Sequence, residues 1–188
     1  MNYPIYRTKA ALRFSLSRNC SAFIEGAPAI AGRQGQMQKG ERKYDWQNQK
    51  IAMSVSPEEL LAIAAACESL RIKGTCPLPP LYHDPKVGNY NGVPKQFKIE
   101  PYTNQRSKTQ FIAIANLSEM GDTKRQLAIG LTYANLFAIE LFCSKASSII
   151  LGWDTVQAQK VKEEKDNTLP PQKQEEEIID DGEDDIPF

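Results

Sequence analysis

The stretch KYDWQNQKIAMSVSPEEL (43–60) decides the fold that this sequence predicts, because a strand pattern in it is followed at once by a helix start. Successive side chains of an extended chain face opposite sides, so alternating apolar residues indicate a strand with one buried face. We therefore predict a long strand over residues 42–55. Its core face would carry Ile51, Met53 and Val55, and its opposite face Tyr44, Trp46, Asn48 and Lys50.

The helix start lies directly after this strand. Ser56 can serve as the N-cap, Pro57 suits the first helical position, and Glu59 would complete a capping box. The residues LLAIAAACESL that follow predict a helix to about Leu70, with apolar residues recurring at helical spacing.

The flanking sequence repeats this order of elements. Residues 5–16 (IYRTKAALRFSL) alternate and predict one half-buried strand whose outer face carries Arg7, Lys9 and Arg13, and shorter strands are expected within 19–41. Further strands are predicted at Leu81–His83, 95–101, 109–118 and 126–131, and a second helix from Thr132 to about Leu151. Strands and then a helix, twice over, predict an α+β fold with antiparallel sheets and helices packed on one side.

Charge divides the 188 residues in two. Residues 1–153 carry 19 Lys and Arg against 11 Asp and Glu, a net charge of +8, whereas residues 154–188 carry 4 against 12, a net charge of −8. Such a division is typical of nucleic-acid binding or of an acidic tail. We predict a folded domain over 1–153 and a disordered acidic tail over 154–188, because so polar a segment buries too little apolar surface to offset its ordering entropy.

Signatures of catalysis and of metal or cofactor binding are absent from the sequence. It has no GxGxxG, P-loop, HExxH or GxSxG motif, and its four cysteines form no CxxC pair beside the single histidine, His83. We expect His83 to be a surface or turn residue and Cys67 and Cys143 to be buried free thiols. The sequence predicts no enzyme and no membrane segment. Since the N-terminus has no signal-peptide pattern, we expect an intracellular protein.

Basic residues interleaved with aromatics are the positive signal for function. Cations neutralise a nucleic-acid backbone and flat rings stack on the bases of single strands, whereas a duplex hides its base faces. Aromatic residues on strands are more often core, and Phe97 and Phe111 are expected to be so. The candidate single-stranded DNA-binding residues are Arg7, Lys9, Arg13, Lys43, Tyr44, Trp46, Lys50, Tyr90, Lys95 and Lys98.

The last residues form a second candidate site. An acidic run ends in Asp184, Asp185, Ile186, Pro187 and Phe188, which is suited to dock an apolar end and a terminal carboxylate into basic, hydrophobic pockets. DDIPF resembles the C-terminal tip of bacterial single-stranded DNA-binding proteins. That resemblance implies recruitment of replication, recombination and repair enzymes, and a bacterial, plasmid or phage setting with a cytoplasmic location.

The body resembles a different family, the Whirly single-stranded DNA-binding proteins of plants. YRTKAAL (6–12) is similar to the family's KGKAAL motif, with Arg7 in place of Lys and Thr8 in place of Gly, and Lys9 retained. The other matching segments, in the family's order, are residues 43–60, YHDP (82–85), KIEP (98–101), IGLTYANLFAIE (129–140) and LGW (151–153).

The Whirly resemblance implies two four-stranded antiparallel sheets with two helices (β4-α-β4-α) that assemble a homotetramer. It also implies single-stranded DNA bound along the sheets with little sequence preference. The prediction is thus a protein that protects single-stranded DNA and recruits partner enzymes through its tip. The alternatives are a transcription regulator or an RNA-binding or annealing factor on the same fold, and a protein whose sheets bind other proteins.

Overall fold

The computed structural model describes residues 1–32, 42–88, 92–102, 110–121 and 124–153. The predicted tail 154–188, its tip 184–188 and Tyr90 lie outside these residues. The predicted boundary at Trp153 therefore stays a prediction.

Eight strands form two four-stranded antiparallel sheets, each in chain order, and a helix follows each sheet. Sheet 1 contains β1 (Asn2–Tyr6), β2 (Ala10–Leu16), β3 (Ala22–Pro28) and β4 (Ile51–Val55), followed by α1 (Pro57–Lys73). Sheet 2 contains β5 (Leu81–His83), β6 (Lys95–Pro101), β7 (Phe111–Met120) and β8 (Lys124–Thr132), followed by α2 (Tyr133–Ile150). The predicted fold, β4-α-β4-α, is confirmed.

One core lies between the inner faces of the two sheets and the two helices. Phe14 of β2 contacts Phe97 of β6 edge to face and Phe142 of α2 at a tilt, with ring centroids 6.1 and 6.2 Å apart. At Gly26 of β3 a side-chain Cβ would lie 2.8 Å from a methyl of Leu127 and 3.2 Å from one of Leu117, so side chains of sheet 2 pack closely against the backbone of β3. Each sheet therefore has one buried face and one outer face.

The start of α1 follows its sequence pattern. The Ser56 hydroxyl accepts a hydrogen bond from the Glu59 N–H, and the Glu59 carboxylate accepts one from the Ser56 N–H. Gly74, with a φ of +69°, ends the helix three residues beyond the predicted Leu70. The capping box that Ser56 and Glu59 predict is confirmed.

The single strand predicted over residues 5–16 is wrong. The chain forms a hairpin in which β1 ends at Tyr6 and β2 begins at Ala10, closed by a hydrogen bond from the Arg7 N–H to the Ala10 carbonyl. Because three residues form the turn, the alternation changes phase across it. Tyr6, which an unbroken alternation would put on the buried face opposite Arg7 and Lys9, then faces outward, and Ile5 faces the core.

The long strand predicted over residues 42–55 is also too long, because β4 begins at Ile51. Tyr44 makes an isolated bridge to Ala29, and the next residues turn. The Asp45 carboxylate accepts a hydrogen bond from the Asn48 N–H, a local interaction that competes with ladder formation. Tyr44, Trp46 and Lys50 are thus not neighbours along one strand face.

Candidate nucleic-acid interface

The outer face of sheet 1 is covered by aromatic side chains above small residues. Ala11 of β2 and Ala27 of β3 are paired and buried, and Tyr44 packs directly over them. Small side chains at these two positions leave room for a ring to lie against the sheet. The loop before β4 therefore covers sheet 1 with aromatic side chains.

Tyr6 is the most exposed ring of this surface. It stacks on Tyr44 with ring centroids 5.5 Å apart and an interplanar angle of 20°, and it is 56% exposed, whereas Tyr44 is 7% exposed. The Tyr44 hydroxyl donates to the Arg7 carbonyl at 2.6 Å, which fixes the lower ring. Burial raises the pKa of Tyr44, so its hydroxyl stays protonated as that donor. Tyr6 thus has one supported face and one face toward solvent.

Cations lie next to this stacked pair. The Lys43 ammonium is 5.6 Å from the centroid of the Tyr44 ring, and Lys9 is exposed in the turn that follows Tyr6. A solvent-facing ring near ammonium groups is the combination that binds a base and its phosphate.

A second cluster lies further along the same face. Arg13 of β2 and Lys50 each form an ion pair with Glu25 of β3, at 2.7 and 3.0 Å. The Arg13 guanidinium also lies 4.7 Å from the centroid of the Trp46 ring. Trp46 is half-buried beside the tyrosine cluster. The cluster has a net charge of +1, and Arg13 covers a face of the Trp46 ring.

Glu25 is held ionised within this cluster. Burial of its carboxyl acts to raise the pKa, but hydrogen bonds from Lys50 and Arg13 and their charges outweigh it, so the pKa lies below its ordinary value. A carboxyl with a lowered folded-state pKa stabilises the fold above its unfolded-state pKa, and this stabilisation is lost as pH falls through the folded-state pKa.

Replacing Glu25 by glutamine should therefore lower the melting temperature most at neutral pH, and the difference from the wild type should shrink toward about pH 3. It should also free Arg13 and Lys50 for phosphate and steepen the salt dependence of DNA binding by about 0.7 per cation. Thermal melts from pH 7 to pH 3 and binding titrations measure the two effects. Glu68→Gln, at an exposed position of α1, is the matched control. A loss of stability that is the same at every pH would contradict the stabilising role of the ionised Glu25 carboxylate.

Arg7 lies elsewhere, at the junction of the two sheets. Its guanidinium donates to the carbonyls of Gly130 and Tyr6 and to the side-chain oxygen of Asn135, and it lies 5.1 Å from the Phe111 ring centroid. Asn135 belongs to the capping box of α2, whose N-cap is Thr132. The predicted grouping of Arg7 with Lys9 and Arg13 on one strand face is therefore wrong, because Arg7 is in the hairpin turn and faces sheet 2.

The two lysines of β6 are paired with carboxylates. Lys95 lies 3.7 Å from Glu119, which also pairs with Arg125, and Lys98 lies 2.6 Å from Glu100. These carboxylates offset part of the positive charge that Lys95 and Lys98 would offer to a phosphate. Phe97 is core, as predicted, and Phe111 is partly buried over Gly130.

A family model described as the Whirly transcription factor matches residues 4–141. The chain belongs to the Whirly family. Whirly proteins bind single-stranded DNA and act in transcription regulation.

Solved structures agree with the Whirly assignment. "Structure of the plant transcriptional regulator PBF-2" is 24% identical with a TM-score of 0.59, and covers 83% of this chain and 93% of that one. WHY3 from Arabidopsis thaliana is 21% identical with a TM-score of 0.60 (86% and 94% covered). MRP1/MRP2 of Trypanosoma is 11% identical with a TM-score of 0.52 (82% and 97% covered). These likenesses show the fold. No curated protein sequence matches significantly.

One Whirly residue that the sequence did not single out is Tyr6. The alternation over residues 5–16 placed it on the core face, whereas the hairpin places it outside. Residues 7–9 contain no Gly, Pro, Asn or Asp to signal a turn, so the alternation alone did not indicate the hairpin. Of the ten candidates, Tyr44 and Trp46 with Lys9, Lys43, Arg13 and Lys50 lie on or beside the outer face of sheet 1.

Residues with catalytic or metal-binding chemistry are dispersed in this Whirly domain. Burial raises the pKa of Cys67 to about 12 and that of Cys143 well above its ordinary value, so both are buried thiols as predicted. His83 is half-buried in β5 with Nε2 2.7 Å from Glu59. Among the residues that the structure describes, no three metal-ligating side chains cluster. Within the same ranges, no helix is long and apolar enough to cross a membrane.

Proposed function

We propose that this protein is a non-enzymatic, cytoplasmic single-stranded DNA-binding protein with little sequence preference, which coats and protects DNA in a bacterial setting. The observation that carries the proposal is the outer face of sheet 1, where the exposed ring of Tyr6 stacks on Tyr44, Lys43 lies against that Tyr44 ring, and Lys9 is exposed in the turn after Tyr6. Rings stack on any base, and ammonium groups pair with any phosphate, so such a surface binds without reading sequence. Membership in the Whirly family supports the same function.

An anisotropy titration with oligo-dT tests this proposal. Affinity should be high at about 50 mM salt and fall steeply toward 200 mM, because binding releases counterions from the phosphates. Length-matched RNA and duplex DNA at the same salt concentrations are the comparison. The absence of salt-dependent binding to oligo-dT would refute the proposal.

Transcription regulation is the second candidate function. It is favoured by the description of the matching family model and by the similarity to a plant transcriptional regulator. Tight duplex binding with strong sequence preference in the same titration would favour it over general coating of single strands.

We also infer a homotetramer, built through an exposed apolar stripe on α2. Tyr133, Phe137 and Leu141 follow at intervals of four residues, and all three side chains are exposed. Arg71 of α1, held by two hydrogen bonds to Glu140, stacks on Tyr133 and Phe137 at 5.4 and 4.9 Å. Contiguous apolar rings on a helix are typical of an interface between subunits.

Leu141→Glu should convert the assembly to smaller species, because it places an unpaired charge within the apolar stripe. Sedimentation velocity measures the change. Gln47→Glu, in the exposed turn before β4, adds the same charge outside the stripe and should leave the assembly intact. If both variants sediment like the wild type, the tetramer uses another surface.

The acidic tip is proposed to recruit replication, recombination or repair enzymes. Its support is the sequence alone, in which an acidic run is followed by Ile186, Pro187 and Phe188. Deleting residues 175–188 should leave or raise DNA affinity and abolish binding of partner enzymes. A large loss of DNA affinity would refute this separation of roles.

A further inference from the structure

A cleft of about 690 Å³ opens between the edge strands of the two sheets. β4 is the last strand of sheet 1 and β5 is the first strand of sheet 2, and each forms one wall. Ser54 lies on the β4 wall, and Lys95 of β6 and the residues Tyr82, Asp84, Pro85 and Val87 of β5 and its following turn also line the cleft. The cleft is not part of the two clusters described above.

The cleft adjoins the outer face of sheet 1. In the strand register Glu25, which holds Arg13 and Lys50, is paired with Ala52 of β4, and Ala52 is part of the cleft wall. Neighbouring strands lie about 4.8 Å apart, so the charged cluster and the cleft are separated by about one strand. A polynucleotide crossing the strands from Tyr6 on β1 would pass Arg13 and Lys50 and reach this opening.

The lining suits a nucleobase better than a phosphate. Tyr82 is 52% exposed and presents a ring, and Pro85 and the exposed side chain of Val87 add apolar surface. Ser54 and Lys95 offer hydrogen-bond donors for the polar edge of a base. Asp84 would repel a phosphate, so a strand should enter with its base inward and its backbone toward solvent.

The wall that carries Tyr82 is held in place before any ligand binds. The next residue, His83, contacts Glu59, whose other carboxylate oxygen accepts the Ser56 N–H at 2.8 Å. The Asp84 carboxylate accepts a hydrogen bond from the Lys86 N–H, which orders the turn after β5. A wall fixed in this way costs little conformational entropy when a base stacks against it.

We propose that a base of single-stranded DNA bound across the outer face of sheet 1 inserts into this cleft and stacks on Tyr82. The inference rests on the proposed single-stranded DNA binding. It adds a base-binding pocket at the far edge of that surface, formed within one protomer.

Binding of oligo-dT is compared with binding of a strand of equal length made of abasic residues. Tyr82→Ala should lower the affinity for oligo-dT roughly 5- to 150-fold, the range for one stacked base, and leave that for the abasic strand unchanged. Tyr82→Phe keeps the ring and should bind like the wild type. Because Tyr82 is half exposed, its removal is compatible with folding, and a thermal melt checks this.

Two outcomes would refute the cleft proposal without refuting single-stranded DNA binding. In one, Tyr82→Ala binds oligo-dT like the wild type although Tyr6→Ala does not. In the other, Tyr82→Ala weakens both strands equally, which marks a structural effect. If the wild type itself shows no salt-dependent binding to oligo-dT, the proposed function fails and the cleft proposal fails with it.

Discussion

Tyr6→Ala is expected to weaken binding of oligo-dT roughly 5- to 150-fold at a fixed salt concentration, because one stacked base contributes about 1–3 kcal/mol. Tyr6 presents a solvent-facing ring supported from below by Tyr44. Its loss removes the stacking surface without removing any cation. The affinity should therefore fall while the slope of affinity against salt concentration stays the same.

Three variants separate stacking from structure. Tyr6→Phe should bind like the wild type, since the ring alone stacks. Tyr44→Phe loses the hydrogen bond to the Arg7 carbonyl and should lower stability more than affinity. Trp46→Ala should lower both, because Trp46 packs beside the buried alanines and contacts Arg13. If Tyr6→Ala melts like the wild type and still binds with full affinity, the stacked pair is not part of the DNA surface.

Local patterns in the sequence predicted most of the fold. The capping box at Ser56 involves residues three apart, and β6 and β8 alternate along most of their length, so neighbouring residues suffice to predict them. The hairpin at residues 7–9 and the turn after Tyr44 were missed. Alternation continues through both in the letters, whereas the chain reverses or turns there because of hydrogen bonds that the pattern does not contain.

The candidate site was less predictable, because its charges depend on contacts between distant residues. Glu25 neutralises part of Arg13 and Lys50 only after β2, β3 and the start of β4 are in register. Likewise, Tyr44 and Tyr6 stack across 38 residues of sequence, and the small residues Ala11 and Ala27 create the space for the ring. Counting charged residues along the chain gives the sign of the domain's net charge. It does not show which side chains can bind DNA and which form ion pairs within the protein.

Arg7 is the residue for which it matters most whether the charge binds DNA or stabilises the fold. Arg7→Ala is expected to lower the free energy of unfolding by about 2–4 kcal/mol, because hydrogen bonds to a charged group contribute about 1.5–3 kcal/mol and the contact with Phe111 adds to them. For a domain of this size that corresponds to a fall in melting temperature of roughly 5–15 °C. The guanidinium joins the β1–β2 turn to β8 and to the cap of α2, so its removal loosens the junction between the sheets.

Thermal and denaturant melts measure this loss, with Arg18→Ala as a control that removes an exposed arginine from the β2–β3 connection. Arg7→Lys should restore little stability, since an ammonium cannot reproduce the guanidinium fork that reaches three acceptors.

Below the melting temperature, Lys9→Ala should weaken oligo-dT binding more than Arg7→Ala, because Lys9 is exposed and Arg7 is hydrogen-bonded within the protein. An unchanged melting temperature together with a large loss of DNA affinity would instead assign Arg7 to the phosphate-binding surface. Its hydrogen bonds to Gly130 and Asn135 would then have to yield when DNA binds.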